Sequence, residues 1–441
     1  MQIKQMLFPM MSMVLSMAPC SHLHAQGQTP VSQMEKLDRG LVALPAQNQG
    51  IFLSWRLLGT DSKHVCFDVE RDGKIIAHQV KLTNYTDRKG SAASSYRIIT
   101  YQKEPRMDAP AEREVSKAVK PWNDLYRSLP INRPAGGVTP DEKSYEYTPN
   151  DCSVGDVDGD GCDEITYGSA AINHDGTLLY STGLGHGDAQ HLADLDPDRP
   201  GLEYYMVHEE YPYGSDLRDA RTGEILFRTL DKDDTGRGLA ADIDAQHRGY
   251  ELWCSDAPVV RDIKGKTVSA ETSLSYKKNH EADHFGSNEK TSFRAVSRMP
   301  AMNFRIYWDG DLQDELLANG RPPHFPPYLQ KWNGKEAVAL PLSNGKQLYE
   351  MGNSVSCNWS KATPNLQADL FGDWREEVIY WDKSDASHLN IFTTNIPTDY
   401  RVPTLMHDHI YRMGVAWQNV GYNQPPHLGY YLPDYAEKIQ K

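Results

Sequence analysis

The chain is short of cysteine, of positive charge and of long apolar runs, and each shortage removes a class of protein. Six Cys occur in 441 residues. Cys20 lies in an N-terminal segment read below as cleaved, which leaves Cys66, Cys152, Cys162, Cys254 and Cys357. An odd, scattered set is no disulfide framework. Cys152 and Cys162 flank one loop and either pair or serve as small buried residues. Lys and Arg number 46 against 60 Asp and Glu, a net charge of −14. Such a surface repels phosphate backbones, which excludes nucleic acid as a partner. Beyond the N-terminus no stretch is long and apolar enough to span a bilayer. Gly-rich phosphate cradles, Cys-x-x-Cys zinc patterns and nucleophile elbows are absent, and few segments carry a helical period.

The N-terminus reads as an export signal. Lys4 precedes an apolar run over residues 6–18, and Ser21-His22-Leu23-His24-Ala25-Gln26 offers a cleavage point after Ala25. Residues 1–25 are therefore expected to be removed, and the protein to be secreted or periplasmic. Pro19 before Cys20 argues against a lipid anchor. Residues 26–102 alternate like β-strands, with runs at 51–55, 65–70 and 95–101 and a tight turn at Arg71-Asp72-Gly73-Lys74. A small sandwich like fibronectin type III is expected. Residues 103–148, rich in Pro, Lys, Glu and Arg, read as a connector.

Residues 149–441 carry the most informative feature, a recurring acidic turn. The clearest copy has Asp156, Asp158, Asp160, Asp163 and Glu164. Others have Asp194, Asp196, Asp198 and Glu203; Asp242, Asp244 and Glu251; Asp309 and Asp311; and Asp369, Asp373, Glu376 and Glu377. Carboxylates at alternate positions around a tight turn point at one cation, and that many hard oxygen ligands suit Ca²⁺. Recurrence every roughly 40 to 65 residues points to a repeat architecture. Each acidic turn precedes a strand, as in the calcium-stapled blades of a β-propeller. The expected fold class is all-β: an N-terminal sandwich, then a propeller.

The residues then resemble a known family. The segments are Asp151-Cys152-Ser153-Val154-Gly155-Asp156, Gly183-Leu184-Gly185-His186-Gly187-Asp188, Asp234-Thr235-Gly236-Arg237-Gly238, Trp308-Asp309-Gly310-Asp311, Lys361-Ala362-Thr363-Pro364, Thr404-Leu405-Met406-His407-Asp408 and Asn423-Gln424-Pro425-Pro426-His427. Together they resemble the rhamnogalacturonan lyases of polysaccharide lyase family eleven. The resemblance implies an eight-bladed, calcium-binding propeller and endolytic cleavage of the pectin backbone. One departure stands out. After the first acidic turn, Gly161-Cys162-Asp163-Glu164-Ile165 runs straight into what resembles a later repeat. Roughly three repeats are missing by that comparison, and an acidic residue expected on the lost segment has no match.

The implied reaction is β-elimination at galacturonate, in which a base takes the C5 proton and a cation neutralises the neighbouring carboxylate. Lys361 is the first candidate for the base, against an ordinary surface lysine. Arg237, freed by Gly236 and Gly238, either grips a carboxylate or ties repeats together. Tyr422 either donates a proton or packs at a seam. His186, Asp188 and Glu209 either hold a Ca²⁺ near the cleft or, for His186, brace a loop. Asn150, Asn358, Trp359 and Ser360 are candidate sugar contacts; Asn150 alternatively starts a turn. The partner expected is pectic polysaccharide bound by a monomer. The competing reading is a non-catalytic calcium-binding propeller that holds carbohydrate or protein.

Overall fold

The computed structural model describes residues 38–102, 113–130, 137–138, 144–145, 165–172, 178–184, 187–209, 211–231, 234–255, 259–268, 300–319, 326–358, 362–418 and 424–440. The N-terminal part is two antiparallel sheets. One runs Val42–Pro45, Ile51–Ser54, Asn84–Asp87; the other runs Lys74–Val80, Cys66–Arg71, Tyr96–Tyr101, Arg113–Val115. Period-two alternation sends Ala43, Ile51, Leu53, Phe67, Val69, Tyr96 and Ile98 into one shared core. Trp55 lies edge-on to Phe67 at 5.4 Å within it. The expected tight turn is present: Asp72 and Gly73 both take positive φ, 51° and 77°, the backbone that a two-residue hairpin needs. The stretch read as a connector contributes structure of its own. Arg113–Val115 extends the second sheet, and buried Arg39 holds both Asp61 (2.6 Å) and Glu114 (2.9 Å).

Among the described residues, a two-stranded pair (Gly137–Val138 with Ser144–Tyr145) comes next, and five further small sheets follow in chain order. The first is Ile165–Tyr167, Ala170–Ile172, Leu178–Ser181. The second is Gln190–Ala193, Glu203–His208, Gly214–Asp219, Ile225–Arg228. Gly238–Ala241 with Glu251–Cys254 forms the third. Phe304–Ile306, Glu315–Asn319, Pro327–Trp332 and Ala337–Leu340 form the fourth. The fifth is built on Glu377–Asp382, which pairs with Ser354–Val355, Leu366–Ala368 and His388–Phe392. Its outer strand comes from far back in the chain: Tyr126–Pro130 pairs with His388–Phe392 in the register Tyr126↔Phe392.

Successive sheets pack through apolar faces. Leu195, Tyr205 and Leu217 meet Ala240, Tyr250 and Leu252 between the second and third. Leu239, Ile243 and Trp253 meet Leu316, Trp332 and Ala337 between the third and fourth. Phe304, Ile306 and Leu329 meet Val378, Tyr380 and Phe392 between the fourth and fifth. Buried side chains of this size contribute roughly 1.5–3 kcal/mol each, so these faces carry the stack.

Two helices close the chain, α1 (His409–Trp417) and α2 (Leu432–Gln440). Asp408 caps α1 by accepting from the Tyr411 N–H at 2.9 Å. Tyr411, Val415, Leu428, Leu432 and Ala436 bury against Leu366, Trp374 and Leu405. Beneath them Arg305, wholly buried, donates to Glu376 at 3.0 Å and to the Pro426 carbonyl. Glu376 also accepts from the Tyr307 N–H (2.9 Å), Gln367 Nε2 (2.9 Å) and the Tyr411 hydroxyl (2.6 Å).

Candidate active site and acidic turns

The four described acidic turns share one geometry, each joining two antiparallel strands that pair directly. A glutamate opens the second strand and accepts two consecutive backbone N–H groups on a single oxygen. Glu203 takes those of Leu195 (3.1 Å) and Asp196 (2.9 Å), and Glu251 those of Ile243 (2.9 Å) and Asp244 (3.1 Å). Glu315 does the same for Trp308 and Asp309, and Glu377 for Leu370 and Phe371. One aspartate per turn then accepts the N–H two residues on: Asp196, Asp244, Asp309 and Asp373 bond Asp198, Gln246, Asp311 and Arg375.

Burial pushes these acids up. Glu203 and Asp369 rise to about 7 and Glu315 to about 8, with desolvation the leading cause in each. Asp242 and Glu251 lie well above their ordinary values through burial and then through neighbouring carboxylates, Asp314 and Asp242 respectively. Both oxygens of Asp242, Oε1 of Glu251 and Oδ1 of Asp194 and Asp369 are buried and accept no hydrogen bond. An unpaired buried oxygen is costly, and a hard cation is the partner that suits this donor set. The turns at 194–203, 242–251 and 369–377 therefore fit such an ion. Several individual ligands expected there are turned elsewhere. Asp198 is at the surface with Arg248 (2.9 Å), Asp244 Oδ2 accepts from Trp332 Nε1 (3.0 Å), and Asp373 holds Arg375 (2.5 Å). Asp309 and Asp311 are bonded to the ammonium of Lys331.

The candidate catalytic groups lie at the other end of the strands. Asp188 precedes strand Gln190–Ala193, Glu209 follows the antiparallel strand Glu203–His208, and Arg237 precedes Gly238–Ala241. All three therefore sit opposite the acidic turns, separated by about 10 Å of strand. Local bonds gather them: Val207 N–H reaches the Ala189 carbonyl (3.1 Å), Thr235 N–H the His208 carbonyl (3.2 Å) and Ser255 N–H the Arg237 carbonyl (2.9 Å). A Cβ on Gly236 would lie 3.6 Å from Asp188 Oδ2, which puts that carboxylate over the loop of Arg237. Gly187 lets the chain pass tightly, since a Cβ there would stand 1.8 Å from the Val207 carbonyl oxygen.

The same end receives two more segments. Asn358, at φ 58°, donates to Thr363 Oγ1 (2.9 Å), and Cys357 and Thr363 exchange backbone bonds of 2.9 and 3.2 Å. These bonds tie together the residues on either side of Trp359, Ser360 and Lys361, which lie outside the described residues. Tyr422 also lies outside them, but its described flanks are fixed. Gln418 makes two 2.9 Å bonds to the backbone of Gln367, and Gln424 accepts from the Gln190 N–H at 3.3 Å. Asn150, Asp156, Asp158, Asp160, Glu164 and His186 are outside the described residues, as are Cys152 and Cys162.

Sequence reasoning missed a buried histidine pair behind this site. His191 Nδ1 lies 2.9 Å from His427 Nε2, and His191 Nε2 is 3.1 Å from the Gly238 carbonyl. Burial lowers His191 to about 4 and His427 well below its usual value, so both are neutral and act as spacers between strands. Glu315 and Lys331 were missed as well; a glutamate six residues after Asp309 was the available signal.

Among the described residues, the antiparallel pairing places the acidic turns and Asp188, Glu209 and Arg237 at opposite ends of the strands.

Comparisons with known proteins decide the family. The sequence profile for the rhamnogalacturonan lyase family 11 C-terminal domain matches residues 126–162 and 153–441, and that for the rhamnogalacturonan I lyase β-sheet domain matches residues 32–122. The chain belongs to rhamnogalacturonan lyase family 11. Rhamnogalacturonan endolyase YesW of Bacillus subtilis (strain 168) is 29% identical over 645 aligned positions, covering 98% of this chain and 96% of that one. Rhamnogalacturonan exolyase YesX of the same strain is 30% identical, covering 93% and 97%. The crystal structures of YesW and YesX superpose with TM-scores of 0.73 and 0.75, at 29% and 28% identity, each over 91% of this chain and 97% of the other. The Bacillus licheniformis rhamnogalacturonan lyase PL11 structure gives 0.72 at 28% identity, with the same coverage. The YesW alignment is longer than the 441 residues present here. With the two profile matches sharing residues 153–162, the stretch missing from this family member maps to the first acidic turn.

Proposed function

We propose that the protein is an exported, calcium-dependent lyase that cleaves the rhamnogalacturonan I backbone of pectin by β-elimination at galacturonate. The observation that carries this reading is the convergence of Asp188, Glu209, Arg237 and segment 424–427 at one end of adjacent sheets in a member of this family. Arg237 is placed to pair with the substrate carboxylate in the two-pronged way a guanidinium allows. A Ca²⁺ held by Asp188 and Glu209, with His186 as a third ligand, would supply further neutralisation of that carboxylate. Lys361 takes the C5 proton and Tyr422 returns one to the leaving oxygen; both roles rest on their motif matches. Asn150, Asn358, Trp359 and Ser360 contact sugar. The acidic turns at 194–203, 242–251 and 369–377, at the far end of the strands, hold Ca²⁺ as staples of the propeller rather than as part of the reaction.

The test is the ultraviolet absorbance of the unsaturated uronate end on rhamnogalacturonan with Ca²⁺, for the native protein and Lys361→Ala. The native protein should give a steady rise and Lys361→Ala almost none, with unchanged melting temperature. An unaltered rise in the variant removes Lys361 from the mechanism. Internal cleavage is the mode proposed. A prompt fall in polymer size marks it, whereas slow fall with accumulating short product marks exo action. The missing internal stretch favours the second reading, a carbohydrate-binding protein without turnover. That reading gains if the native protein retards on a rhamnogalacturonan-containing gel yet produces no absorbance.

A further inference from the structure

Among the described residues one set of three carboxylates converges to within 4.8 Å: Asp309, Asp311 and Glu315. The ammonium of Lys331 is in their midst. Its Nζ donates to Asp311 at 2.7 Å, to Glu315 Oε1 at 2.8 Å and to Asp309 Oδ2. An ammonium has three donors, and here each has a carboxylate acceptor. Lys331 comes from strand Pro327–Trp332, which is paired through Leu316↔Gln330 with the strand that Glu315 opens. Its stem is therefore anchored to the turn it fills, and its side chain is 28% exposed beside a wholly buried Glu315.

A divalent ion would need the same oxygens at roughly 2.3–2.6 Å, with the ammonium driven out to water. The other turns differ. Around 242–251 the carboxylate oxygens of Asp242 and Oε1 of Glu251 have no hydrogen-bonding partner. At 194–203 a lysine, Lys264, reaches Asp196 alone, from a side chain 58% exposed. The converging triad is thus the one already threaded by a protein cation, so the 309–315 donor set does not fit a metal as it stands.

We propose that Lys331 is a built-in replacement for the ion at the 309–315 turn, which closes without metal while the open turns take one. The contrast rests on the calcium reading of those open turns. The counter-charge that Lys331 supplies to this turn is then part of the fold of the fourth sheet and survives chelators.

The experiment counts Ca²⁺ per full-length chain by equilibrium dialysis and measures melting with and without chelator, for wild type and Lys331→Met. The methionine keeps the stem and removes the charge. The expected result is one additional ion per chain in Lys331→Met, and a larger fall in its melting temperature on chelation than in wild type. Equal counts and equal chelator shifts overturn the proposal, since the wild-type turn would then already hold an ion. Should Lys331→Met fail to fold, Asp311→Asn decides: an unchanged ion count supports the lysine, and loss of one ion overturns it. A wild-type count of zero refutes the calcium reading of the open turns separately. In that case a gain in Lys331→Met still supports the proposal, and no gain overturns it.

Discussion

Removing divalent cations and raising the pH should destabilise this protein far more than either change alone. The buried acids set the sign. Asp369, with no exposed surface, is raised from 3.8 to about 7 by burial and by Asp373. Its folded form holds the proton more tightly than the unfolded chain does. The resulting stability is fully present below the unfolded value and is lost as pH climbs through about 7. At 1.36 kcal/mol per tenfold change in proton affinity, the loss is about 4 kcal/mol for this group. Glu203, raised to about 7, titrates in the same direction, whereas Glu315 keeps the Lys331 ammonium as its counter-charge. Whole domains are stable by only about 5–15 kcal/mol, so two or three such groups ionising without a counter-ion decide the outcome. The assay is a set of thermal melts at about pH 5, 6, 7 and 8, with chelator and with excess Ca²⁺. Chelated melting temperatures should fall steeply across the series, and the gap to the calcium-loaded protein should widen with pH. Chelated values that are flat or rising, or two parallel curves, would refute the reasoning.

Two substitutions probe the frame around the site. Glu376→Ala leaves buried Arg305 without its main anion and removes the acceptor for Tyr307, Gln367 and Tyr411. Urea unfolding should show a loss of about 3–5 kcal/mol, and a loss under about 1 kcal/mol would remove the network from the core's account. Gly187→Ala places a methyl 1.8 Å from the Val207 carbonyl oxygen and 2.5 Å from Met206 Cε. A cost of about 1–3 kcal/mol is expected, together with slower lyase turnover because Asp188 is displaced; wild-type turnover in a folded variant counts against Asp188.

What the sequence showed followed from local spacing. The aspartates, the closing glutamate and the strand after it lie within about ten residues of one another, so a turn and its strand were readable from composition alone. The β-sandwich was readable for the same reason, through alternation at 51–55 and 65–70. The pairing of Tyr126–Pro130 with His388–Phe392 left no local trace, because its partners meet only after every intervening sheet has stacked. The same is true of His191 with His427. Lys331 was not singled out, because its partners belong to a turn about twenty residues earlier and across a strand. Helix α1 was missed because nine residues with a glycine near the middle are weak helix formers alone; its stability comes from packing Tyr411 and Val415 onto Leu366 and Trp374.

The position of the missing stretch bears directly on whether the site survives. The two profile matches meet at residues 153–162, ahead of the first of the five sheets. Asp188, Glu209, Arg237, Asn358 and segment 424–427 all come after it, and so do the three apolar interfaces that join the second to fifth sheets. Each sheet touches its neighbours through those faces, so an omission of whole repeats disturbs the stack where the ends are rejoined and leaves later contacts intact. Among the described residues the sheet at that point has three strands, against four in the second, and strand Leu178–Ser181 exposes Leu178 (62%) and Leu179 (41%). Leucines left open on a strand mark a face without a packed neighbour. The exposed leucines mark this sheet as the one nearest the rejoined ends, and the interfaces on the Arg237 side are packed. Arg237 and its neighbours lie beyond the rejoined ends, so substitutions on the Asn150 side should lower turnover before they lower polymer binding, and equal losses of both would count against this division of the site.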